Sequence, residues 1–133
     1  MWFSEQRERL VWFDGAAGLS AGVLVLMASP WLAALYALPI SALIFTGLMN
    51  CAYGAYSSTL ARRPDLRTRR AILALVIANA SWPLVCALLI VCLREQISAF
   101  GVAHLVGEAL FVGGLAVWEW RWRDALVGRT SMS

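Results

Sequence analysis

His104 and Glu108 stand one helical turn apart inside ISAFGVAHLVGEALFVGGLAVW, a run otherwise apolar enough to cross a lipid bilayer. At i, i+4 spacing an imidazole and a carboxyl lie on one helix face, where they can share a proton as a neutral pair or as a tight ion pair. Asp14, Asn50 and Asn79 sit in three other apolar runs. A charged side chain at the bilayer centre costs at least about 2.5–3.5 kcal/mol, so such residues face a bundle interior and find partners there. Trp82, three residues after Asn79, is also unusual in its position. Trp2, Trp12, Trp31, Trp118, Trp120 and Trp122 fall near the ends of apolar runs, as an interfacial aromatic belt does, whereas Trp82 lies halfway along one.

The chemistry open to this set is the binding or passage of a small apolar or amphipathic molecule in a polar intramembrane pocket. His104 and Glu108 would be its proton-responsive element, Asp14, Asn50 and Asn79 its polar recognition, and Trp82 an apolar wall. Two other readings use the same residues. In a non-transporting accessory or immunity-type membrane protein, acting through protein contacts, they would only join helices. In an intramembrane enzyme on a lipid or quinone-like substrate, Glu108 or Asp14 would be acid or base beside His104. No Ser or Cys falls three or four residues from His104, so no nucleophile is placed beside a base and no catalytic residue is assigned.

No cofactor or metal is expected. One histidine is too few for bis-histidine haem, and His-x-x-x-Glu alone is a weak metal signal. With no lysine a retinal Schiff base is impossible, and without a CxxC the chain lacks the dithiol of a disulfide-generating enzyme. Cys51, Cys86 and Cys92 read as buried free thiols.

The elements that must position these groups are helices. Of 133 residues 61% are hydrophobic, against about 45–50% in soluble domains. An all-α integral membrane protein is expected, one domain over 1–133 with spans near 10–28, 35–56, 71–92 and 98–118. Short connections make consecutive helices antiparallel neighbours in a four-helix, up-down-up-down bundle.

Small residues set the faces. Gly18 and Gly22 form a GxxxG step with Asp14 one turn earlier, and Gly47, Asn50, Gly54 and Ser57 form a second small and polar stripe. Pro83 removes the hydrogen bond to the carbonyl of Asn79 and predicts a kink in the third helix. At about 1.5 Å per residue, Asp14, Asn50 and Asn79 lie roughly 8–12 Å deep, Glu108 about 15 Å and His104 about 20 Å. That spacing suggests that the amides of Asn50 and Asn79 hold Asp14. Glu119 shares the face of Glu108, about three turns on, and Gly107, Gly113 and Gly114 are expected to keep the neighbouring surface narrow.

All 11 basic residues are Arg. Arg62, Arg63, Arg67, Arg69 and Arg70 crowd the middle connection, and Arg7, Arg9, Arg121, Arg123 and Arg129 the tails, leaving Arg94 elsewhere. The positive-inside rule then sets both termini in the cytoplasm, with the protein in the inner membrane. The net charge of +3 reflects topology, and no nucleic-acid partner is expected. The expected partners are the lipid bilayer, the small ligand and a second copy of the chain in a homo-oligomeric dimer.

Overall fold

The computed structural model describes residues 2–128, so Arg129 and the side chain of Trp2 lie outside the described residues. Every regular element among them is helical: α1 (Trp2–Met27), α2 (Ser29–Tyr36), α3 (Ile40–Arg62), a 3-10 turn (Pro64–Leu66), α4 (Arg69–Cys92), α5 (Ala99–Arg121) and α6 (Arg123–Leu126). Three helices, Glu5–Met27 within α1, α4 and α5, are long and apolar enough to cross a membrane. This agrees with a membrane protein, but the count of α-helices is six where four were expected.

The extra helices have local causes. The connection expected to loop between the first two spans carries Pro30, which favours a helix start, and folds as α2. Leu35 and Tyr36, placed by the sequence reading at the start of the second span, are the end of α2. The chain turns at Ala37, which takes the left-handed conformation (φ 52°), and runs extended through Pro39 before α3. The 23 residues of α3 are diluted by Ser41, Thr46, Gly47, Asn50, Gly54, Ser57, Ser58 and Thr59, and this helix falls short of the apolar content of the other three. The extra α6 is a single turn beyond Trp122.

Two helical hairpins result. In the first, α1 and α3 run antiparallel in the most extensive contact of the fold. Gly15 lies against Ser58, Gly18 against Gly54, and Gly22 against Gly47 and Cys51, with backbone close to backbone. In the second, α4 and α5 pair, and Gly113 of α5 opposes Pro83. α4 stays helical through Pro83. Gly107 and Gly114, expected to narrow the packing surface of α5, face open space.

The hairpins are fastened at both ends. Ser98 caps α5 by accepting from the Gly101 N–H, donates its hydroxyl to Leu35 O (2.8 Å), and gives its backbone N–H to Tyr36 O (2.8 Å). At the other end the Gly128 N–H donates to Arg67 O (2.9 Å). Arg67, read from the sequence as a topology signal, is buried: its guanidinium donates to Leu60 O (2.7 Å) and Ala61 O (2.9 Å), capping the end of α3. Arg63 and Asp65 pair in full exposure. Their hydrogen bond holds the Asp65 carboxyl below the usual carboxylate range and raises Arg63.

Candidate functional site

The polar residues of the bundle form two clusters at different heights. The close α1–α3 contact presents Asp14 to Ser57, while the α4–α5 pairing presents Asn79 to Glu119 and Trp82 to Glu108. Glu108 and Glu119 occupy one face of α5, eleven residues apart, or about 16 Å of helix rise.

In the first cluster Glu108 Oε1 accepts hydrogen bonds from Asn50 Nδ2 of α3 and Trp82 Nε1 of α4 (3.0 Å). Its Oε2 lies 3.2 Å from His104 Nε2, an ion-pair distance without the geometry of a formed hydrogen bond. On the far side of the imidazole, Nδ1 is 3.1 Å from the Tyr36 hydroxyl, with the two rings 5.1 Å apart. A ring protonated on Nε2 presents that N–H to Glu108 and accepts from Tyr36; an imidazolium presents N–H groups to both. The Glu108 side chain is 12% exposed and that of His104 30%, so the pair reaches the surface through the histidine. Trp82 is fully enclosed, with Tyr53 edge-on at 5.7 Å and Phe45 at 6.3 Å between ring centres. Cys86 and Leu105 complete its surroundings.

The second cluster is sealed. Asp14 Oδ2 accepts from the Ser57 hydroxyl (2.6 Å) and from Asn79 Nδ2 (3.2 Å), and the same amide nitrogen donates to Glu119 Oε2 (2.9 Å). Asp14, Ser57, Asn79 and Glu119 are all buried. Glu119 Oε1 has no hydrogen-bond partner.

The six residues singled out from the sequence are thus divided between two places. Glu108, His104, Asn50 and Trp82 meet; Asp14 and Asn79 meet elsewhere. The suggested clasp of Asp14 by two amides is half formed, because Asn50 turns to Glu108 and Ser57 takes its place. The geometry adds Tyr36, Ser57 and Glu119. Glu119 shares the Glu108 face, Ser57 belongs to the small stripe of α3, and both signals are visible in the sequence. Tyr36 becomes visible only once the first connection is known to be helical.

A groove of about 460 Å³ lies apart from both clusters, lined by Gln6, Arg9, Leu10, Phe13, Trp118 and Trp122. Cys51, Cys86 and Cys92 are free thiols, Cys86 buried and Cys92 exposed. Compared with known proteins, the chain matches no family model, no curated protein and no solved structure.

Proposed function

We propose that this chain is a small multi-pass protein of the inner membrane that binds or transports a small apolar or amphipathic molecule, with His104 and Glu108 as its proton-responsive element. The observation that carries the reading is the environment of Glu108. A carboxyl deep in an apolar helix is held by an indole and an amide from two other helices, and its remaining oxygen faces an imidazole that is partly exposed. Two fixed neutral donors stabilise the carboxylate whether or not the histidine is charged. His104 then links the pair to whatever enters beside Tyr36. Trp82 acts here by orienting Glu108, and a ligand stacking on it would have to displace Tyr53 or Phe45.

In this proposal α3 is the fourth span, and α4 bends at Pro83. Both termini and the arginine-rich connection lie in the cytoplasm. The contacts Arg62–Trp12 and Gly128–Arg67 support this arrangement by bringing those segments to one end of the helices. Gly107 and Gly114, open on the outer face of α5, support close approach of a second copy in a dimer.

Native mass spectrometry of protein extracted gently from its own membrane tests the proposal, comparing wild type with Glu108→Gln. The expected result is a stoichiometric small molecule or lipid, lost in the variant while the oligomer persists. A ligand-free protein in both would refute it and favour the accessory reading.

A further inference from the structure

Asp14 and Glu119 play no part in the Glu108 site, and their surroundings pose a charge problem. Asp14 comes from α1 and Glu119 from α5, and the two carboxyls meet at the single amide nitrogen of Asn79. The groups contributed by the other two helices are neutral: Ser57 from α3 and Asn79 from α4. Among the described residues neither carboxyl has an ion-pair partner. Arg121, two residues beyond Glu119, is exposed, and Arg123, four residues beyond it, donates to Trp120 O and lies over the Trp120 ring.

Apolar layers close the site. Towards the arginine-rich end Val11, Leu60, Ala61, Ile72, Leu75 and Leu126 form an apolar plug about one turn beyond Asp14, Ser57 and Asn79. Towards the other end stand Trp82, Cys86 and Leu105. Two carboxylates that share one neutral donor in a buried, apolar-walled site repel each other, and a proton on one of them relieves the repulsion. The hydrogen bonds distinguish them: Asp14 Oδ2 accepts two, whereas Glu119 accepts one and leaves Oε1 buried and bare. A hydrogen on Oε1 would turn that bare acceptor into a donor towards the Asp14 carboxylate, removing both the excess charge and the unpartnered atom.

We propose that Asp14 and Glu119 form a second proton-binding site, closed from both ends of the bundle, in which Glu119 carries the proton and Asp14 is the carboxylate that accepts its hydrogen bond. The bundle then holds protons at two depths on α5, one at a site partly open through His104 and one at a sealed site.

Infrared spectroscopy of the whole protein in sodium-free lipid vesicles at neutral pH reads this directly. The expected spectrum contains the carbonyl stretch of a protonated carboxylic acid, shifted when the protein is labelled with side-chain 13C-glutamate. The band should persist in Glu108→Gln and disappear in Glu119→Gln. Absence of the band in wild type, a shift with 13C-aspartate instead, or loss of the band in Glu108→Gln would overturn the proposal. So would loss of the wild-type band when sodium is added at constant pH, because the pair would then be a cation site. Should Glu119→Gln fail to fold, the labelled wild type and Glu108→Gln decide the matter without it.

Discussion

The α1–α3 contact makes a prediction whose sign depends on position alone. A Cβ added at Gly18 would lie 2.9 Å from Gly54 Cα and 3.0 Å from Gly54 N. One added at Gly22 would lie 2.7 Å from both Cys51 N and Gly47 O. These neighbours are backbone atoms and cannot rotate away, so the helices themselves must separate. Overpacking of this kind costs about 1–3 kcal/mol, partly offset by up to about 1 kcal/mol from replacing glycine with alanine in a helix. Gly18→Ala and Gly22→Ala should each lose about 1–2 kcal/mol, roughly five- to thirtyfold in the folding equilibrium. Gly107→Ala and Gly114→Ala add the same methyl group where nothing lies within 4 Å, and should leave folding unchanged or gain up to about 1 kcal/mol. Reversible unfolding in dilute detergent, where the monomer's own stability is read, compares the four variants. Equal effects at all four positions, or a neutral result at Gly18 and Gly22, would refute the packing argument. Asp14 lies one turn from Gly18, so a forced separation should also pull it away from Ser57.

Two further outcomes follow from single side chains. Tyr36→Phe removes the hydroxyl beside His104 Nδ1; stability should fall by only about 0.5–1.5 kcal/mol, while acylation of the imidazole, the chain's one histidine, should accelerate, as mass spectrometry would show. Arg67→Lys cannot span Leu60 O and Ala61 O with one forked group, and the cap of α3 should weaken by about 1.5–3 kcal/mol in thermal unfolding.

How far the sequence reveals this fold can be judged from particular elements. Apolar run length located α4 and α5 to within a few residues, because long unbroken runs leave the chain no other means of satisfying its backbone in lipid. The same signal failed at α2. A proline and a short apolar stretch read equally as a loop or as a helix start, and the distinction rests on Ala37 adopting a left-handed turn. Within the site, the depth of Asn50 was misjudged. α3 runs on to Arg62, past the expected end of that span, so the residue level with Asp14 is Ser57, and Asn50, two turns deeper on the same face, meets Glu108 instead. Gly107 and Gly114 failed for a related reason: small residues mark where helices can approach, and only the faces of the neighbours show where they do.

The separation of glycine contacts from polar contacts has a mechanical meaning. Within the first hairpin, α1 and α3 are held by backbone approach at glycines. Between the hairpins the direct contact of α3 with α4 is slight, and beside the apolar packing of Val11 and Leu60 on Ile72 and Leu75 stand four side-chain hydrogen bonds: Asn50 to Glu108, Asn79 to Asp14, Tyr36 to His104, and Ser98 to the end of α2. Lipid offers helices no hydrophobic gain from meeting, so these hydrogen bonds carry much of the docking between hairpins. Two of the four end on carboxyls and a third on an imidazole. Protonating a carboxylate turns one of its acceptor oxygens into a donor, so a proton gained or lost at these groups acts on the joints between the hairpins and not on the glycine-packed contact within the first.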